Sequence, residues 1–256
     1  MRVVYRSDYL ERREAALFEQ ARNALAEPLV RPSGWFRRLL WEFSKDAARQ
    51  RGEREAKWRQ LRNEARNYVV GRRGEDVLMD ALDGYLDGRY LLVRNYEPPR
   101  SSGAGGDVDA VLVGPHGVTV FEVKTWKGLY RVSGGQWQFY SRQGGWKAAF
   151  ANPSAQVRWN AERLDRLLAA QGLLGVPIQA VVALASKDAH AELPPLSTHV
   201  FYPCRRPIGL DWLPAPQLTK SEVGEIETAL LRPREMAQEG PSNERVRDYS
   251  HPHAGA

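Results

Sequence analysis

Gly106-Asp-Val-Asp-Ala-Val-Leu-Val113, Gly114-Pro-His-Gly117 and Val118-Thr-Val-Phe-Glu-Val-Lys124 make up the stretch that decides the fold. Two runs rich in β-branched residues flank a Gly/Pro loop, which predicts a β-hairpin. If Val113 faces Val118 across the loop, opposed residues have numbers that sum to 231. Asp109 then faces Glu122 and Asp107 faces Lys124, all on one side of the hairpin. Glu122 and Lys124, two residues apart, share a face in any register. The intervening Val108, Ala110, Val111, Leu112, Val120, Phe121 and Val123 are apolar, so the hairpin is expected to be central and buried.

This arrangement sets up an electrostatic conflict. Carboxylates opposed at ~5 Å repel each other. In a buried hairpin they must be neutralised, or one must hold a proton. A divalent cation between Asp109 and Glu122 removes the conflict, and oxygen ligands suit Mg²⁺ or Mn²⁺. Lys124 would then hold a water beside the metal or balance charge on a phosphate.

Upstream of the hairpin, Glu75, Leu78, Leu82 and Leu86 recur on one face of a helix, while Asp76, Asp80, Asp83 and Asp87 form a separate acidic stripe. Glu75 thus heads the apolar face, where a carboxylate requires a partner, and it is a candidate to complete the acidic cluster. Gly71 and Gly74 are expected to end or bend the helix before it. Tyr90–Asn95 reads as a strand, with a Pro/Ser/Gly-rich loop after it. Downstream, strands are expected around Leu129–Val132, Gln136–Tyr140 and Ile178–Ala185, with a further one at Val200–Tyr202. Asn152 as N-cap with Pro153 starts a helix, and Thr219 with Glu222 is a capping box for a last helix reaching Leu231.

The chain has 37 Lys/Arg against 31 Asp/Glu, a net charge of +6. Residues 1–72 hold 17 of the basic residues and 10 of the acidic ones, so the remainder is close to neutral. Helices are expected over Tyr9–Ala26, around Trp35–Phe43 and over Asp46–Val69. They have three candidate roles: packing on the core, contacting phosphates, or docking on a protein partner. A membrane role is disfavoured because the apolar stretch is barely three turns. The single Cys204 excludes an internal disulfide and a multi-cysteine metal site. No run approaches the ~18 apolar residues of a spanning helix, and the opening residues lack a secretory stretch, so a cytoplasmic location is expected. Gly103-Ala-Gly-Gly106 lacks the Lys-Ser/Thr of a phosphate loop.

Gly71-Arg-Arg-Gly-Glu75, Gly106-Asp-Val-Asp-Ala-Val-Leu-Val113, Gly117-Val-Thr-Val-Phe-Glu-Val-Lys-Thr-Trp-Lys-Gly128 and Asn152-Pro-Ser-Ala-Gln156 together resemble the nuclease-related domain family of the PD-(D/E)xK nuclease superfamily. The resemblance runs in order over roughly residues 70–170. It implies an α/β fold, a restriction-endonuclease-like mixed sheet flanked by helices, here preceded by an N-terminal helical extension. The expected boundaries are 1–70 for the basic extension, 71–231 for the nuclease-related domain and 232–256 for a disordered tail. It further implies a phosphodiester-hydrolysing, metal-dependent nuclease with Asp109, Glu122 and Lys124 as the signature triad. Glu75 matches the acid of the first helix and Gln156 the glutamine after the signature strands. In this reading Asp109, Glu122, the Val123 carbonyl and Glu75 hold Mg²⁺ or Mn²⁺, Lys124 positions the attacking water, and Gln156 orients Lys124 or a phosphate. The expected partner is nucleic acid, DNA first. Two positions depart from the family pattern: Val108 replaces the nominal proline, and Asn160 stands where helicase–nuclease relatives often carry tyrosine. The alternative is a non-catalytic module of nuclease-like fold that binds nucleic acid or a partner within a larger defence or repair system.

Overall fold

The computed structural model describes residues 1–5, 9–26, 29, 33–35, 37, 44–98, 107–194, 198–205, 210 and 213–231. The expected helix around Trp35–Phe43 lies for the most part outside them, and the tail from residue 232 wholly so.

The hairpin forms with the expected register. Strands β3 (Val108–Gly114) and β4 (Gly117–Lys124) pair antiparallel, with Val113 opposite Val118, Val111 opposite Val120 and Ala110 opposite Phe121. Gly117 makes the turn at φ +107°, and its α-carbon lies so close to Pro177 that a side chain there would collide with the Pro177 carbonyl. Around the hairpin a six-stranded mixed sheet assembles in the order β1-β2-β3-β4-β8-β10. Its other strands are β1 (Arg2–Tyr5), β2 (Leu91–Tyr96), β8 (Ile178–Leu184) and β10 (His199–Phe201). β2 runs antiparallel to β3, whereas β1 on β2, β8 on β4 and β10 on β8 are parallel. The hairpin therefore occupies the centre of the sheet, as its apolar flanks require.

Strand alternation directs successive side chains to opposite layers. Leu92, Ala110, Leu112 and Phe121 meet Leu78 and Leu82 of helix α2 (Lys45–Asp83). Val111, Val113, Val118, Val120 and Val182 meet Val157, Leu164 and Leu168 of helix α3 (Pro153–Ala169) and Ile226 and Leu230 of helix α4 (Lys220–Leu231). Both latter helices start as read: the Ala155 N–H donates to Asn152 Oδ1 (3.1 Å). The Thr219 N–H donates to Glu222 Oε2 (2.7 Å), and the Glu222 N–H returns to Thr219 Oγ1 (3.3 Å).

The N-terminal segment departs from expectation in two ways. Residues 2–5 are an edge strand of the main sheet, so the segment before residue 70 is not wholly helical. Helix α1 (Tyr9–Ala26) then lies against α2, tied by Arg13–Glu64 (3.3 Å) and by Arg72 to Glu11 and Glu14 (3.6 and 3.4 Å). Moreover, α2 is one unbroken helix of 39 residues from its Ser44 cap to Asp83, passing through both Gly71 and Gly74. Gly74 does not break the helix; it lets α2 approach β4. A Cβ there would sit 2.5 Å from Thr125 Cγ2 and 3.2 Å from Val123 Cγ1. The loss of helix propensity, about 1 kcal/mol, is outweighed by packing that only glycine permits.

Three strands between β4 and β8 and one after β8 build a second, four-stranded sheet in the order β7-β6-β5-β9. It comprises β5 (Gly128–Ser133), β6 (Gln136–Ser141), β7 (Gly145–Ala148) and β9 (Ala189–Glu192). Sequence reading found β5 and β6 but not β7 or β9, which are four residues each. Trp137 anchors this sheet to the core, and its indole N–H donates to Ser154 Oγ in the first turn of α3 (2.8 Å). Asn152 Nδ2 donates to the Gly135 carbonyl (2.9 Å), tying the β5–β6 turn to the cap of the same helix.

Candidate metal-dependent nuclease site

Asp109 lies at the open end of β3 and Glu122 near the end of β4, continuing the register in which Ala110 opposes Phe121. Asp109 Oδ2 accepts the Val123 N–H (2.6 Å), which fixes the carboxylate against the neighbouring strand. Glu122 is almost fully buried, at 1% exposure, and its Oε1 accepts from Lys124 Nζ (2.5 Å). Its second oxygen, Oε2, is buried and has no hydrogen-bond partner. Lys124 Nζ also reaches Gln156 Oε1 (3.5 Å), so the first turns of α3 contribute to the same spot. Asp109, Glu122, Lys124 and Gln156 thus lie together on the α3 side of the sheet.

Glu75 and its surroundings belong to the other layer. Glu75 Oε2 accepts from Arg94 Nη2 (3.1 Å), and Arg94 Nη1 donates to Asp76 Oδ1 (2.9 Å). Arg94 stands on β2 opposite Ala110, and it is 3% exposed. This residue was missed in sequence reading. A lone arginine within Leu91-Leu-Val-Arg-Asn-Tyr96, an otherwise buried strand, was the available signal, and it is the partner that a carboxylate at the head of an apolar helix face requires.

Burial dominates the electrostatics. It pushes Glu122 up to about 8, with the charge of Asp109 adding to the rise and Lys124 opposing it. Burial likewise raises Glu75 to about 7, and Asp109 again adds to the rise while Arg94 opposes it. Asp109 is raised for the same reason, against the Val123 N–H and the Lys124 charge. The acids therefore interact across the sheet, even though they project from different layers. Among the described residues, no group of three or more His, Cys, Asp and Glu side chains is arranged to hold a metal ion. What the chain offers is the Asp109–Glu122 pair with adjacent main-chain carbonyls. Mg²⁺ commonly takes one or two carboxylates, with water and substrate phosphate completing the shell, so the donor set fits that ion. Glu122 Oε2, buried without a hydrogen-bond partner beside Asp109, is an oxygen that a cation could take.

The nuclease-related domain model matches residues 70–185. Residues 70–185 are a nuclease-related domain. The match begins within α2, four residues before Gly74, and ends one residue past β8. The matched region thus contains the hairpin, Arg94, strands β5, β6 and β7 of the second sheet and α3, while β1, α1 and about the first two-thirds of α2 precede it and β9 follows it. Its mixed sheet between helical layers is the expected fold class, and placement in the PD-(D/E)xK superfamily is consistent with it. No curated protein and no solved structure matches the chain significantly. Among the described residues, no helix is long and apolar enough to cross a membrane.

Proposed function

We propose that the chain is a divalent-metal-dependent nuclease that hydrolyses phosphodiester bonds, with DNA as its first substrate. The observation that carries this reading is the buried Glu122 Oε2, which lacks a partner beside Asp109 on a central hairpin. Asp109 and Glu122, with the Val123 carbonyl, would hold Mg²⁺ or Mn²⁺. The ion, when bound, supplies Lewis-acid stabilisation of charge developing on the scissile phosphate.

The chain's own groups have distinct tasks. The Val123 N–H holds Asp109 in one orientation. Lys124, whose side chain is one-fifth exposed, presents its ammonium group at the mouth of the site, where it positions the attacking water and offsets phosphate charge. Gln156 steers Lys124 through the amide oxygen that accepts from Nζ. Glu75 acts from the α2 layer by tuning the charge on Asp109, and Arg94 holds it in place.

Purified protein is incubated with single-stranded and plasmid DNA in Mg²⁺ or Mn²⁺. Cleavage should be lost in Lys124→Ala, in Asp109→Asn and in excess chelator. Cleavage that survives Lys124→Ala or the chelator overturns the assignment. Binding without cleavage under either metal leaves a nuclease-like binding module instead.

A further inference from the structure

Between Glu55 and Glu75 lie six basic residues, Lys57, Arg59, Arg62, Arg66, Arg72 and Arg73, and one acid, Glu64. All belong to α2, which meets the end of β4 at Gly74. Helix α1 answers part of this charge. Arg13 pairs with Glu64 (3.3 Å), and Arg72 pairs with Glu11 and Glu14 (3.6 and 3.4 Å).

Helical periodicity sorts the remainder. Steps of three or four residues from Glu55 reach Arg59, Arg62 and Arg66, pass Val69 and Val70, and reach Arg73; all four arginines are exposed. Leu61, Ala65 and Tyr68 form a different face, which α1 covers. The buried Glu75, Leu78 and Leu82 form a third, turned to the sheet. The arginine stripe therefore faces away from both neighbours. Within it Arg59 meets Glu55 (3.3 Å). Arg62 lies over the ring of Trp58 (5.0 Å) and, like Arg66 and Arg73, has no ion pair among the described residues. Beyond Arg73 the same steps reach Asp76 and Asp80, so the stripe changes sign where α2 meets the sheet.

We propose that Arg59, Arg62, Arg66 and Arg73 form a surface that grips the phosphate backbone of duplex nucleic acid without reading its sequence. The inference rests on the nuclease reading and names the form of nucleic acid that the chain holds. An ordinary solvent-facing helix mixes signs and pairs them at steps of three or four. Here three guanidinium groups in succession lack an acid, and charge complementarity points to a polyanion. From Arg59 to Arg73 the stripe spans about 21 Å of one helix. The same length of duplex presents roughly 12 phosphates, counting both strands. The stripe carries no exposed aromatic ring, since Trp58 is half-buried beneath Arg62, so nothing there stacks on unpaired bases. A straight row of cations without a stacking platform matches a duplex, whose bases are stacked inside and whose outer charge is dense. Asp76 and Asp80 repel phosphate and confine the duplex to the arm of α2 before Gly74. The contact is separate from Asp109, Glu122 and Lys124; it holds the protein on the duplex and leaves those residues open.

Anisotropy of a labelled mixed-sequence DNA duplex with the full chain in EDTA tests the surface apart from catalysis. Each phosphate contact steepens the fall of log affinity with log salt by about 0.9, so four arginines give a slope of about −4. Affinity should then drop about a hundredfold between roughly 50 and 200 mM salt. Arg62→Gln with Arg66→Gln and Arg73→Gln should flatten the slope by roughly 3, and the same three positions changed to lysine should restore it. Glutamine suits a helix about as well as arginine, so α2 should keep its helicity, which circular dichroism checks. Arg22→Gln with Arg89→Gln and Arg142→Gln removes the same charge from exposed positions off the stripe and should leave the slope as in wild type. Equal flattening in that control, an unchanged slope in the stripe variant, or tighter binding of a single strand of the same length overturns the surface. Absence of binding to any DNA overturns it as well. Cleavage is read separately in Mg²⁺ or Mn²⁺: a cutting protein with a stripe-independent slope keeps the nuclease reading and loses the surface. Stripe-dependent duplex binding without cleavage under either metal does the reverse.

Discussion

In metal-free protein, stability should fall as pH rises from 5 to 8, and Glu122→Gln should remove about half of that fall. Glu122 is raised by burial from an unfolded value of 4.5 to about 8, so the folded chain binds a proton that the unfolded chain releases. When the native state binds more protons, stability declines with increasing pH. The decline begins near the unfolded value and continues to the folded one, with a slope of at most about 1.4 kcal/mol per pH unit for each proton. For Glu122 the loss between pH 5 and 8 is roughly 3 kcal/mol; Glu75, raised to about 7, contributes a similar but smaller amount. For a chain of this size each kcal/mol shifts the melting temperature by about 2–4 °C. Thermal unfolding at pH 5, 6.5 and 8 in EDTA should therefore show a downward trend of roughly 10 °C or more. The variant should retain only the part due to Glu75. Mg²⁺ competes with the proton for the same carboxylates, so its stabilisation should be larger at pH 8 than at pH 6 and should vanish in Glu122→Gln. A wild-type melting temperature that is level or rises over this interval would refute the reasoning, since it would mean that Lys124 keeps Glu122 ionised throughout.

Three further outcomes follow from packing and pairing. Arg94→Met leaves Glu75 buried without its cation and should destabilise by about 3–5 kcal/mol at pH 8 in denaturant unfolding. Much of the loss should be recovered below pH 6 or by adding Glu75→Gln; no recovery in either case shows that Arg94 matters for its packing alone. Gly74→Ala should lower stability by about 1–3 kcal/mol, even though alanine favours helices, because its methyl meets Thr125 and Val123. A stabilised variant would mean that α2 does not approach β4 so closely. Deleting residues 2–5 should expose the edge of β2, remove the ion pair between Arg2 and Glu227 and lower the melting temperature, whereas excision of a loose extension would leave it unchanged.

The hairpin was legible because its loop permits one register, and because side-chain alternation then dictates which residues meet. The same local logic located Asn152 with Pro153 and Thr219 with Glu222, whose capping chemistry depends on neighbours three residues away. What stayed hidden depends on distant chain. Residues 2–5 form a parallel strand whose partner lies near residue 93, and four residues carry too little periodicity to announce it. Gly71 and Gly74 read as breakers by propensity, yet the surface that makes Gly74 necessary comes from Val123 and Thr125. Glu75 was recognised as needing a partner, but the partner, Arg94, sits on a strand nineteen residues later. Which side chains of the second sheet share a face is fixed only once the β5–β6 and β6–β7 pairings are known.

The unbroken α2 helix has a mechanical consequence. At 1.5 Å per residue it is a rod of roughly 58 Å, with about 44 Å before Gly74 and about 14 Å after it. Gly74 is where the rod presses against the end of β4, so it acts as a fulcrum with unequal arms. The short arm carries Glu75 and the leucines that grip the sheet; the long arm carries the arginines that precede the nuclease-related domain. Any load that tilts the long arm is felt at the short one with about a third of the travel and three times the force. A chain with a hinge at Gly71 would have absorbed that motion before it reached the sheet.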